Sequence, residues 1–570
     1  MMRVSRTAAR LSALAILAVV CAAASCGKKP PAIAWSESAR AVLIERVGPD
    51  GAEGPIYCRR DRVCGSDVLP GFYRARDFRP AWIDDALTLG DARGLIAALR
   101  LVSEDGLDPA NYHLATLGSL IAEIDAARAK DPRQVPPESL ADLEMLLTDG
   151  FLLCGSHLVH GQVDPETIQS VWLIKGRVED LAAALEKGLA AKDIPAALDS
   201  LRPGHAVYRG LRKAYREHGA VVAAGGWPGF PPGPKLVKGD RDPRVKALRQ
   251  TLAAMGDLST AEAPEEPELV DDILESALKT FQRRHGLDPD GAVGAETASA
   301  LNVSAPERLR QIRANLERWR WITQDLGEKY VLVNAADYRV SVYEAGRAVM
   351  SMQAIVGRAY RQTPDFSGRM SYITLNPPWN VPPKLAREDI LPKVRKDPSY
   401  LQKKSIRVFA NWTDGAREID PQDVDWTQVK PEGLSYKFRQ DPGPQNALGR
   451  IMFMFPNKFD VYMHDTPERG LFTRAARNLS SGCIRVDRPL DLAAYMLRDD
   501  PAWTKEKIVE AIATGKTQSI SLRKNAPSVH VLYWTAWLGG DGRIRFRQDV
   551  YLRDAALDKA LAERASVVAE

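Results

Sequence analysis

Phe459-Asp460-Val461-Tyr462-Met463-His464-Asp465-Thr466-Pro467, followed by Ser480-Ser481-Gly482-Cys483-Ile484-Arg485-Val486, carries the most chemistry in this chain. The alternation from Phe459 to His464 predicts a strand that delivers a histidine at its end. Ser-Ser-Gly ahead of Cys483 predicts a tight turn, where small residues let backbone N–H groups point at a developing oxyanion. Cysteine is the strongest side-chain nucleophile near neutral pH, but only as thiolate, so it needs a base or a cation beside it. His464, nineteen residues before Cys483, is the candidate base. The alternative is a buried structural cysteine with an unrelated histidine; the flanking residues favour the nucleophile.

Those residues resemble the signature of the YkuD-type L,D-transpeptidases, His-Gly/Asp-Thr followed by Ser-His/Ser-Gly-Cys-Ile/Val-Arg. Many members carry a second histidine directly before Gly-Cys, where this chain has Ser481, which leaves His464 as the one histidine of the motif. The Ser-Ser-Gly-Cys variant is similar to the large multidomain, YcbB-like branch. The resemblance implies that Cys483 is the nucleophile, that His464 is general base and acid in a thiolate–imidazolium pair, and that the backbone carbonyl of Asp465 orients the ring. It also implies an oxyanion site at the N–H groups of Cys483 and Gly482, with Ser481 beside them and the Tyr462 hydroxyl contributing. Arg485 would hold a substrate carboxylate or else fix the turn as an ion pair. Trp379 and Asn380 would belong to the substrate groove or else pack. No cofactor and no metal is implied, and the partners are a tetrapeptide donor and a stem-peptide amine acceptor of peptidoglycan.

The N-terminus points to export. Arg3, Arg6 and Arg10 precede the short apolar run Leu11 to Ala22, and Ala23-Ala24-Ser25-Cys26-Gly27 resembles a lipobox. Residues 1–26 are thus expected to be a lipoprotein-type signal with Cys26 lipidated, or else an ordinary cleaved signal. The expected location is the periplasm, with a lipid anchor in the outer membrane as the membrane contact and a monomeric protein. With 78 Lys and Arg against 73 Asp and Glu, the chain carries a net +5, too near balance for a nucleic-acid partner. Cys58 and Cys64 are expected to close a small disulfide loop, a metal pair being the alternative; Cys154 reads as helix core. His157 and His160 read as helix-surface or packed histidines rather than ligands.

The 570 residues suit about three or four domains. The expected fold class is multidomain α+β. Residues 27–65 read as a linker and 66–225 as a mostly α-helical scaffold domain, with leucines at helical spacing. A Gly/Pro-rich connection then leads to a unit at 238–304. Its Phe281-Gln282-x-x-His285-Gly286-Leu287 and Asp290-Gly291-x-x-Gly294-x-x-Thr297 resemble the small three-helix peptidoglycan-binding domain. Phe281 and Leu287 read as core, and Gly291 and Gly294 as turn-formers. A β-rich catalytic domain is expected at 329–496, with an insertion at about 384–445 that is too long for a plain loop. By resemblance this insertion caps the catalytic groove. Residues 497–570 are expected as an extension packing on the scaffold and catalytic domains. A hydrolase using the same site and a non-catalytic wall-binding lipoprotein are the competing functions.

Overall fold

The computed structural model describes residues 35–48, 54–65, 67–169, 172–259, 264–323, 325–522 and 526–569. The expected leader and Cys26 lie outside the described residues. The chain forms two compact units, Met1–Ala92 with Ala115–Asp149, and Arg93–Leu114 with Gly150–Glu570. The expected scaffold at 66–225 is therefore divided between the two.

In the first unit, the stretch expected as a linker holds structure. The helix Trp35–Val47 buries Ala39, Leu43 and Val47, and Tyr57–Cys58 pairs with Asp61–Arg62 as a hairpin. That hairpin corrects the disulfide: Cys58 and Cys64 stand as separate thiols. Asp61 is the residue opposite Cys58, and the ladder continues through Val63 N–H to Ile56 O. Cys64 is thus three residues further along, roughly 10 Å at the rise of a strand, against a disulfide Cα span of about 7 Å at most. Buried Glu144 organises the rest, accepting from Tyr73 Oη and from the N–H groups of Ala81 and Trp82.

The second unit is built on a twelve-stranded sheet. In chain order its main strands are β1 (Lys329–Asn334), β2 (Arg339–Glu344), β3 (Arg347–Gly357), β4 (Asp365–Arg369) and β5 (Tyr372–Leu375), then β6 (Ile451–Met454), β7 (Met463–His464), β8 (Asn478–Ser480) and β9 (Ile484–Val486), and finally β10 (Gln518–Ser521) and β11 (Ser528–Leu532). Their lateral order is β10-β5-β6-β7-β9-β3-β2-β1-β11-β4, then Trp172–Leu173, with β8 beside β3. Alternation sends Val331, Val333, Val340, Val342, Phe453, Met463 and Ile484 into one buried core. Two strands come from the segment expected only to pack from outside. β11 sits between β1 and β4, parallel to β1 over five residue pairs, so the sheet does not end at 496.

The insertion is a small fold of its own. Ile406–Phe409 is flanked by Glu418–Ile419 and Lys437–Gln440, and Trp379–Asn380 completes the antiparallel sheet. Val381, Leu391, Val394, Val408, Trp426 and Phe438 form its core. The cap thus begins at Trp379, before the expected 384.

The helices Arg244–Ala254, Asp272–His285 and Ala295–Leu301 make the three-helix unit, with Phe281 fully buried and Leu287 packed against the core. Gln282 locks the Asp-Gly turn, donating to Asp290 and accepting from Gly291 N–H at 2.8 Å each. His285 stacks on Phe281 at 4.0 Å, and Arg284 donates to the Ile544 carbonyl in the C-terminal hairpin. Cys154 is buried, as expected, and His157 bonds the Tyr112 hydroxyl at 3.0 Å.

Candidate active site

β7 and β9 are adjacent and parallel, with Met463 opposite Ile484 and His464 opposite Arg485. Since Met463 and Ile484 point into the core, alternation turns Tyr462, His464, Cys483 and Arg485 to the opposite face. Four chemically distinct side chains thus share one patch on two neighbouring strands. They line a cleft of about 800 Å³ whose other wall is the cap, through Leu385, Asp389, Ile390, Lys393 and Tyr400.

The strand is aimed by the turn before it. The Asn457 side chain donates to the carbonyls of Phe455 and Val461 and accepts from the N–H groups of Phe459 and Val461. Asp460, at φ 53°, then presents its carbonyl to the Cys483 thiol at 3.8 Å. His464 Nδ1 lies 2.5 Å from the Asp465 carbonyl. A carbonyl only accepts, so Nδ1 carries the proton and the Nε2 lone pair of the neutral ring is left to take one. The Asp465 carboxylate is used elsewhere, accepting from Arg450 N–H and pairing with Arg469. Gly449 permits this approach, because a Cβ there would meet the Asp465 carboxylate oxygen at 2.4 Å.

The turn that carries Cys483 is braced from within and from behind. Gly482 has φ 120°, a conformation that a side chain would strain. Its N–H donates to Ser480 Oγ at 3.1 Å, and Ser480 Oγ donates to the Cys483 carbonyl at 2.6 Å. The expectation that Gly482 N–H serves an oxyanion is corrected accordingly, since Ser480 takes that donor. Behind the turn, Thr363 Oγ1 donates to the Gly482 carbonyl and accepts from Gly357 N–H. Tyr551 Oη, from the C-terminal segment, donates to the Gly357 carbonyl at 2.6 Å.

Burial pushes the Cys483 thiol up to about 11, against the opposing pull of Tyr462 and Arg485. Burial and then the charge of Arg485 hold His464 down at about 3, while the carbonyls of Asp465 and Leu448 favour its protonated form. Both groups therefore rest neutral near pH 7. Burial of each group works against the expected thiolate–imidazolium pair, because both charges would have to be desolvated. Tyr462 is kept protonated by burial and by Cys483, and Trp379 hydrogen-bonds its hydroxyl.

Arg485 forms an ion pair with Glu468, so the turn-fixing alternative has a partner in the structure, while the residue also lines the cleft. Ser481 lines the cleft and accepts from Arg361 at 2.9 Å. Trp379 lines the cleft, but its neighbour Asn380 is exposed and pairs with Arg439 in the cap sheet, which corrects its placement in the groove. Arg361, Thr363 and the Asp460 carbonyl were missed by the sequence reading. Thr363 and Arg361 lie about 120 residues from the turn they support, and no spacing pattern joins them.

The model of the "L,D-transpeptidase catalytic domain" family matches residues 328–508. A "Putative peptidoglycan binding domain" matches 241–301 and a "Scaffold domain" 67–214. A Haemophilus influenzae protein described as "Putative L,D-transpeptidase" is 35% identical over 230 residues, 40% of this chain. The match spans 45% of that relative's length. Among solved structures, an L,D-transpeptidase of Stackebrandtia nassauensis aligns at 14% identity over 54% of this chain and 96% of its own, with a TM-score of 0.21. One from Xylanimonas cellulosilytica aligns at 14% over 53% and 100%, with a TM-score of 0.16.

Proposed function

From the premise that this is a multidomain protein with a YkuD-type L,D-transpeptidase catalytic domain, a peptidoglycan-binding domain and a scaffold domain, we propose that Cys483 transfers an acyl group between peptidoglycan stem peptides. The observation that carries the reading is the shared patch of Tyr462, His464, Cys483 and Arg485 on two adjacent strands, roofed by the cap.

The neutral resting state dictates the order of events. As a donor carbonyl approaches, His464 Nε2 takes the thiol proton while the sulfur attacks, so charge appears only with the substrate in place. The Asp465 and Leu448 carbonyls stabilise the imidazolium that results. The tetrahedral oxyanion is held by Tyr462 Oη and Cys483 N–H. The C–N bond to the terminal D-alanine breaks, and its amine leaves with the proton from His464. A side-chain amine of a second stem peptide then attacks the thioester. His464 removes the amine's proton and returns one to the departing sulfur, which closes a 3→3 cross-link and regenerates the thiol. The peptide bond broken supplies the free energy for the bond made, so no nucleotide is consumed. The cap and the three-helix unit support the large multidomain branch of the family. Export, with Cys26 lipidated and the protein held at the outer membrane facing the periplasm, completes the reading.

Purified protein incubated with disaccharide-tetrapeptides, followed by mass spectrometry, tests it. Dimers linked 3→3 that vanish in Cys483→Ala are the expected outcome. Tripeptide monomers alone would replace transfer with hydrolysis at the same cysteine.

A further inference from the structure

A second large hollow, about 780 Å³, opens on the outward face of β1, β2 and β3. The register builds its floor: Tyr330 stands opposite Tyr343, Leu332 opposite Ser341, and Asn334 opposite Arg339. The intervening valines take the core face. Tyr330 and Tyr343 are stacked at 4.9 Å with ring planes 5° apart, and both are half-buried. In the wall, Trp319 stacks on Trp534 at 4.4 Å. Trp319 is 3% exposed, yet its indole N–H has no acceptor among the described residues.

Asp337, Arg339 and Arg545 also line a smaller cleft of about 380 Å³. Its opposite wall is the three-helix unit, through Arg283 and Gly286 to Pro289. Positive charge is in excess there. Arg547 is matched by Asp337 at 2.7 Å, but Arg477, 9% exposed, spends its guanidinium on the carbonyls of Ala354, Arg474 and Tyr338. Arg339 bonds Ser351 Oγ.

We propose that these two hollows form one binding track for an acidic amino-sugar glycan, separate from the cleft that holds Cys483. The half-buried apolar rings of Tyr330 and Tyr343, with polar Asn334, Ser341 and Ser351 beside them in the lining, suit a pyranose ring, which has an apolar C–H face and a hydroxyl edge. Arg339, which forms no ion pair among the described residues, suits the lactyl carboxylate that a muramic acid unit exposes where no stem peptide is attached. The track runs onto the unit that matches a peptidoglycan-binding family, which selects the glycan strand as the occupant. That choice of polymer rests on the proposed function, and the charge and ring chemistry do not.

The test titrates the full-length protein, by calorimetry and tryptophan fluorescence, with two probes. One is a peptide-free oligosaccharide of alternating N-acetylglucosamine and N-acetylmuramic acid; the other is a neutral N-acetylglucosamine oligomer. Wild type should bind both, the acidic probe more tightly. Tyr343→Ala should weaken both about tenfold, and Tyr343→Phe should retain binding, which controls for folding. Arg339→Gln should weaken only the acidic probe. Absence of saturable binding to either probe, or affinities unchanged in Tyr343→Ala and Arg339→Gln, overturns the track. Turnover of soluble disaccharide-tetrapeptide is followed in parallel. Its absence in wild type sinks the transfer reaction and leaves the binding result standing.

Discussion

Burial makes removal of the Cys483 proton costly in the substrate-free protein. With the thiol held at about 11, only about one molecule in several thousand carries a thiolate near pH 7.4. Alkylation of Cys483 by iodoacetamide in the substrate-free protein should therefore rise about tenfold per pH unit from 7 to 10, with its midpoint near 11. A plateau already reached below pH 8 would instead show a preformed thiolate–imidazolium pair. Arg485 opposes the imidazolium and favours the thiolate, so Arg485→Ala should move both groups upward and shift the alkylation profile to still higher pH. At this scale His464, Cys483, Tyr462 and Arg485 were legible as residue types and spacing. Their resting charge was not, because desolvation depends on what the rest of the chain places around them.

Arg361 joins two elements that the sequence keeps apart. One guanidinium spans Ser481 of the Cys483 turn and the carboxylates of Glu388 and Asp389 in the cap, and its side chain is 9% exposed. It is a positioning residue, since it bonds the loop beside Cys483 and not the reacting atoms. Arg361→Ala should lower the rate of Cys483 acylation about 10- to 100-fold, with partial recovery in Arg361→Lys, which restores the charge but not the fork. A purely structural role would lower the melting temperature and leave acylation of the remaining folded protein unchanged. The length of the polar insertion excludes a plain loop, and the family resemblance is what makes it an expected cap. That Trp379–Asn380 supplies one of its strands could be seen only from the pairing with Lys437–Gln440.

Across the larger unit, the catalytic sheet depends on chain that follows the matched catalytic family. β11 fills the gap between β1 and β4, and Tyr551 and Arg553 hold the loop behind the Cys483 turn. Truncation after residue 508, where the family match ends, should yield insoluble or molten protein, and soluble, active protein would contradict that dependence. Acid stability carries a matching sign. His464 stays neutral in the fold down to about 3, while an unfolded histidine takes a proton below its ordinary 6.5. Its contribution is full above pH 6.5 and is lost as pH falls from there toward 3. His464→Gln should flatten the acid limb of unfolding free energy against pH by about 1.4 kcal/mol per unit in that window, measured by urea unfolding.

The sequence by itself determined the candidate nucleophile and base, the strand that delivers His464, the Ser-Ser-Gly turn, the helical and β-rich divisions, and, through the family resemblance, the expectation of a cap. These follow from local patterns, alternation, turn chemistry and a motif read over a few dozen residues. Only the tertiary structure decided that Cys58 and Cys64 stand apart, that Gly482 N–H belongs to Ser480, that the thiol rests neutral, and that the C-terminal segment is woven into the catalytic sheet. Each of these depends on a strand register or on a contact with a residue elsewhere in the fold. Such contacts exist only once packing has fixed which backbone lies beside which, and burial has removed the water that would otherwise level their energies.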